Sequence, residues 1–135
     1  MKTLKKIFLL GMAVLMITVS LAGCGQTNTV EGLVVSNELF MEKDDIEGAT
    51  QPEQVSVGED VYACVYFIES PKGMEYTGKW YIDDEEVKSD PQETTTDMSG
   101  AIVYRLEADS VKEGILKFEV VYNNEILSSK ELIVK

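Results

Sequence analysis

From Val30 onward the chain alternates apolar and polar residues with a period of two, and clusters of Gly, Pro, Asn, Asp and Ser interrupt the alternation. That spacing sends successive side chains to opposite faces of an extended backbone, so each such segment predicts a half-buried β-strand. The clearest is Val61 to Ile68, with Val61, Ala63, Val65 and Phe67 on one side and Tyr62, Cys64, Tyr66 and Ile68 on the other. Val30 to Val35, Glu75 to Ile82, Ala101 to Leu106, Ile115 to Tyr122 and Ile126 to Val134 predict further strands. Ile102, Tyr104 and Leu106 share one side of their segment. In Ile115–Tyr122, Leu116, Phe118, Val120 and Tyr122 oppose Lys117 and Glu119. Asn37 to Ile46 fits either a strand extension or a single helical turn, and Glu47 to Glu53 reads as loop. Val87 begins a return strand that Ser89-Asp90-Pro91 is expected to break, and Thr94-Thr95-Thr96 is expected to form a short edge strand. Asn123-Asn124-Glu125 predicts a tight hairpin turn, since Asn tolerates positive φ. No sustained helical stripe is present, and short strands spaced by about ten residues argue a β-sandwich.

The N-terminus follows a different pattern. Lys2, Lys5 and Lys6 precede an apolar run from Ile7 to Leu21, which is followed by Leu21-Ala22-Gly23-Cys24. A basic start, an apolar stretch and a small-residue cleavage site make up a secretory signal. The lysines favour the cytoplasmic side, and the run is shorter than the ~20 apolar residues that span a bilayer. Leu21-Ala22-Gly23-Cys24 resembles the lipobox of bacterial lipoproteins. The resemblance implies that residues 1–23 are removed and that Cys24 is acylated and begins the mature chain. Two or more acyl chains give stable anchoring. Residues 24–29 are then a lipidated Cys and a short polar tether, and residues 30–135 are the folded domain. The expected location is the extracytoplasmic face of a bacterial cell membrane. Gly25 after the Cys leaves open an outer-membrane address or the outer face of a Gram-positive membrane, and a lysine-heavy basic set with the single Arg105 favours the Gram-positive source.

Composition narrows the chemistry. The chain carries 24 acidic and 12 basic residues, a net charge of −12. Three of those bases and none of the acids leave with the signal, so the mature domain is more acidic still. Such a surface repels nucleic acid and anionic headgroups, which excludes nucleic acid as a partner. With Cys24 committed to lipid, Cys64 has no intramolecular disulfide partner, and the domain relies on core packing. The apolar context of Cys64 predicts a buried, inert thiol. Histidine is absent, which removes the usual general base and zinc ligand. No G-x-S-x-G elbow or S-x-x-K set is present, and chance pairs among so many carboxylates carry no weight. No enzymatic activity, cofactor or metal site is expected.

Two constellations remain. Asp83-Asp84-Glu85-Glu86 is the densest acidic run, but it lacks the spaced ligands of a calcium loop and reads as a solvated turn. Tyr81, predicted to face outward, forms with Tyr62, Tyr66, Asp83 and Asp84 a candidate ligand or partner patch.

The strand rich in small and β-branched residues, then Lys79-Trp80-Tyr81 with its acidic turn, then Gly114-Ile115-Leu116-Lys117-Phe118-Glu119-Val120, resembles an immunoglobulin-like sandwich. The resemblance implies an all-β, antiparallel sandwich of about seven strands, with Trp80 packed against the link between the second and sixth strands. It places Cys64 on the second strand and an apolar residue, Phe118 or Val120, at the sixth-strand position, without a disulfide. The expected function is a lipid-anchored, extracytoplasmic, non-enzymatic binding or accessory module that recognises a protein partner at the cell surface. The alternative is a lipoprotein binding a small ligand, a glycan or Ca²⁺.

Overall fold

A computed structural model of the protein describes residues 28–135, so the signal segment, the lipobox and Cys24 lie outside the described residues. Eight strands form, in order β1 (Val30–Ser36), β2 (Gln54–Val55), β3 (Val61–Ser70), β4 (Glu75–Ile82), β5 (Glu85–Glu93), β6 (Met98–Leu106), β7 (Gly114–Tyr122) and β8 (Glu125–Val134). One short helix, α1 (Lys43–Gly48), lies between β1 and β2. A three-stranded sheet runs β1-β3-β6 and a five-stranded sheet runs β2-β8-β7-β4-β5. All pairings are antiparallel except the brief β2–β8 contact. The chain changes sheet after β1, β2, β3, β5 and β6, and only β4–β5 and β7–β8 are hairpins within a sheet. This is an immunoglobulin-like β-sandwich.

The period-two alternation explains the core. Val61, Ala63, Val65 and Phe67 of β3 and Ile102, Tyr104 and Leu106 of β6 face Tyr76, Trp80, Leu116, Phe118 and Val120 of the other sheet, all buried in one cluster. Trp80 packs on Phe118 with ring centroids 4.6 Å apart, a favourable tilted arrangement. Tyr104 donates its hydroxyl proton to the Tyr76 carbonyl at 2.7 Å. Its ring occupies the space a Cβ on Gly78 would need, 2.5 Å away, so only glycine fits there.

Both hairpins close with two residues of positive φ, Asp83 and Asp84 at 51° and 69° and Asn123 and Asn124 at 55° and 67°. Those values match the primed turn whose twist suits antiparallel strands.

Three expectations change. The segment Asn37–Ile46 resolves into an extended stretch leading to α1, which continues to Gly48 inside the expected loop. Strand β5 runs straight through Ser89-Asp90-Pro91, with Pro91 opposite Thr77. β5 is an edge strand, so a missing N–H breaks no ladder. Thr94-Thr95-Thr96 forms no strand. Thr94 is buried and ties the preceding turn instead, through Thr94 N–H to the Met74 carbonyl at 2.8 Å and its hydroxyl to the Pro71 carbonyl at 2.8 Å.

Candidate functional site

The sandwich has two outer faces, and the chain treats them differently. On the three-stranded sheet, Val34 and Cys64 point away from the main core and would be exposed. The segment 37–50 crosses over them, and Ile46, Phe40 and Ala49 pack with Val34, Cys64, Tyr62, Tyr66, Ala101 and Val103 in a second small cluster. The strap is pinned at its ends. Gln51 donates to the Val35 carbonyl at 2.7 Å and accepts from the Val35 N–H at 2.9 Å. Asn37 donates to the Asp60 carbonyl at 2.9 Å and accepts from the Ser56 N–H at 3.1 Å. Lys43 pairs with Glu31 at 3.4 Å and sits 5.7 Å above the Tyr66 ring.

Cys64 is buried, as its surroundings predicted, but not in the inter-sheet core. Its neighbours Ala63 and Val65 face that core, so Cys64 does not occupy a bridging position toward Trp80. Phe118 and Val120 do face inward. The register of β3, more than any replaced partner, explains why no bridge links the sheets. Burial pushes the Cys64 thiol up, and the Phe40 N–H, 3.3 Å from Sγ, only partly opposes this. The thiol therefore stays protonated and inert at neutral pH.

Nothing in residues 28–135 crosses the outer face of the five-stranded sheet. Its outward side chains fall into four rows set by the pairing register. Ile133 lies beside Ile115; Glu131, Lys117, Tyr81 and Glu86 follow; then Ser129, Glu119, Lys79 and Ser89; then Ile126, Val121, Thr77 and Pro91. Ile115, Ile126 and Ile133 are 51%, 58% and 50% exposed. The centre is polar and tied together. Lys117 stands 4.7 Å above the Tyr81 ring, 3.7 Å from Glu119 and 3.9 Å from Asp84. Partial burial, then the neighbouring Glu119 carboxylate, raises the Tyr81 phenol above its usual range.

The five residues of the predicted patch do not converge. Tyr62 and Tyr66 pack under the strap, whereas Tyr81 lies on the opposite outer face, with Asp83 and Asp84 in the β4–β5 turn at its margin. The Asp83 carboxylate accepts the Ile115 N–H at 3.0 Å, securing the start of β7. Ile115, Ile126, Ile133 and Val121 escaped the sequence reading as site residues. Their signal was present: Ile115 beside Leu116, and Ile133 beside Leu132, place apolar residues on both sides of a strand. Two open clefts flank the sandwich. One, about 450 Å³, lies between Ile82, Asp83 and Val87 and Asp109 and Lys112. The other, about 500 Å³, lies along the strap beside Glu38, Phe40 and Asp45. Among the described residues no group of three His, Cys, Asp or Glu side chains is arranged to hold a metal ion. No described helix is long and apolar enough to cross a membrane.

No protein-family model matches the sequence, and no curated protein matches it. Among solved structures, an immunoglobulin-like protein of Pseudomonas aeruginosa is similar at 11% identity and a TM-score of 0.49, over 79% of this chain and 95% of that one. The CARDB domain of a Pyrococcus furiosus protein, solved in complex with di-metal ions, is similar at 13% identity and a TM-score of 0.40, over 81% and 96%. A β-glucosidase from Listeria innocua, solved in complex with glucose, is similar at 10% identity and a TM-score of 0.49; the matched part is 64% of this chain and spans only 15% of the glucosidase.

Proposed function

We propose that this chain is a lipid-anchored, extracytoplasmic, non-enzymatic binding module whose partner is a protein. The observation that supports this most is the uncovered outer face of the five-stranded sheet, with three half-exposed isoleucines around a charged centre. Apolar residues grouped at the margins of a flat polar surface suit a protein contact better than a small ligand, which needs a concave site. The strand edges are poorer candidates. On β6, the Val103 and Arg105 carbonyls already accept from Gln92 at 2.9 Å and Lys88 at 2.7 Å. On β5, Glu85, Glu86, Asp90, Glu93 and Pro91 discourage strand addition, as charges and proline do on natural edges.

The anchor part of the proposal rests on Leu21-Ala22-Gly23-Cys24. The glycan or Ca²⁺ alternative loses its main support, because Tyr62 and Tyr66 are parted from Tyr81, Asp83 and Asp84. The test combines two variants of the full chain. Cys24→Ser is expected to lose lipid label and leave the membrane fraction. Ile115→Glu with Ile133→Glu is expected to keep the membrane location and lose partner capture in intact cells. Unchanged capture by the double variant, or unlabelled wild type that stays membrane-bound, would overturn the corresponding half.

A further inference from the structure

We infer that the partner seated on the bare face is a second copy of this chain, docked face to face with its strands antiparallel. This rests on the protein-binding reading above and adds the identity of the partner.

The argument is the order of outward residues along the strands. On β7 they run Ile115, Lys117, Glu119, Val121: apolar, positive, negative, apolar. On β8 they run Ile133, Glu131, Ser129, Ile126, again with apolar ends. A two-fold axis lying in the plane of the sheet, perpendicular to the strands and between Lys117 and Glu119, reverses this order in the partner. Ile115 then meets Val121 of the second copy, and Ile133 meets its Ile126. Lys117 meets Glu119 and Glu119 meets Lys117. On β4, Tyr81 meets Lys79 of the second copy. Within one copy Lys117 and Glu119 already form a 3.7 Å pair, with side chains 28% and 12% exposed; the axis sets two such partly covered pairs head to tail. A two-fold interface requires this self-complementarity. A rotation about an axis running along β7 fails, because it stacks Lys117 on Lys117 and Glu119 on Glu119.

Charge also selects this face. The chain carries a net charge of −12, so two copies repel over most of their surfaces. Here Lys79 and Lys117 lie among Glu86, Glu119 and Glu131, with Asp84 at the margin, so the face carries only a small part of the chain's excess negative charge.

Size sets the strength. The face measures about 20 Å across its strands and about 25 Å along them. That is about 500 Å² per copy, at the low end for specific interfaces. The dimer is therefore weak in free solution and needs local concentration, which a membrane anchor would supply. With the two-fold axis along the membrane normal, both chain starts sit at one height. Each enters beside β8, where Asn28 donates to the Leu127 carbonyl at 2.8 Å.

The register is tested by crosslinking the full chain in the membranes of intact cells with a short bismaleimide. Ile115→Cys and Val121→Cys copies, co-expressed, are expected to yield a crosslinked dimer. Ile115→Cys alone is expected to yield none, because its two copies lie about 20 Å apart along the strands. Lys117→Glu or Glu119→Lys, added to both copies, is expected to reduce the product about tenfold or more. Both changes together are expected to restore part of it, since the swap regenerates the two contacts across the axis but not those of Lys117 with Asp84 and Tyr81 within each copy. Circular dichroism of each variant confirms the fold. No product from the mixed pair, equal product from Ile115→Cys alone, or no rescue by the double swap would overturn the dimer. A photo-crosslinker at Ile133 separates the two readings. An adduct with a different protein would overturn self-association and leave the binding module standing, and no adduct of any kind would remove both.

Discussion

The two outer faces of this sandwich are made by the same period-two alternation, yet one is roofed by the chain itself and the other is bare. On the three-stranded sheet, the outward residues of β1 and β3 are apolar or small, Val34 and Cys64 among them, and they are 2% and 0% exposed because the strap brings Ile46 down onto them. On the five-stranded sheet, the outward residues are isoleucines at the ends and charges in the middle, and no described segment covers them. The contrast teaches that an apolar residue pointing out of a sheet has two remedies. The fold can supply a cover from its own chain, or leave the surface for another molecule to cover.

Substitutions on the two faces are the means of breaking that comparison. The largest effect is expected from Ile46→Ala, which removes the strap's buried contact and leaves a cavity. Its cost is about 2 kcal/mol, at the low end for such truncations because the site is near the surface. If the strap opens locally, Cys64 labelling by a thiol reagent speeds up by about 30-fold. Labelling unchanged from wild type would show that the strap does not shield Cys64. Next is Cys64→Ser, which swaps a soft apolar atom for a hydroxyl in a small apolar cluster and is expected to cost about 1–2 kcal/mol in urea unfolding. A neutral result would mean that water already reaches the site.

The pH dependence follows from the same burial. The folded thiol of Cys64 is raised above its ordinary value. Its contribution is therefore complete below the unfolded pKa, about 8.5, and is lost as pH rises through that value toward the folded one. Labelling of Cys64 is expected to climb above pH 8.5 more steeply than thiolate formation alone accounts for, whereas Cys64→Ser is expected to unfold with no comparable alkaline loss. Equal alkaline loss in both proteins would assign the effect to another group. The smallest effect is expected on the bare face. Ile126→Thr should change stability by less than about 0.5 kcal/mol, because its side chain is half solvated already. A cost similar to that of Ile46→Ala would erase the distinction between the faces.

Most of this architecture was legible in the sequence because strand faces obey a strict period. Val61, Ala63, Val65 and Phe67 were assigned together and are together, as are Leu116, Phe118 and Val120. Trp80 sits on Phe118, where the immunoglobulin resemblance placed it. What was not legible depended on tertiary neighbours. Pro91 reads as a strand breaker until β5 is known to be an edge, where its missing N–H costs nothing. Cys64 reads as a core residue in either orientation, and only the strap decides that its burial is on the outside. The candidate patch failed for a related reason. Alternation places Tyr62 and Tyr66 on one side of β3 and Tyr81 on one side of β4, but says nothing about which sheet each strand joins. The isoleucines of the bare face broke the alternation visibly, as apolar residues on both parities, and that irregularity marks the face proposed to bind a partner.

Leu39 and Met41 are the rival surface, since they stand 53% and 62% exposed on the strap itself. Glu38, Glu42, Asp44 and Asp45 surround them, so an acidic second copy would be repelled there. The most direct test is therefore paired photo-crosslinking of the full chain in intact cells, with the reactive group at Ile133 in one variant and at Leu39 in the other. The account predicts a protein adduct from Ile133 and none from Leu39. An adduct from Leu39 with none from Ile133 would contradict it.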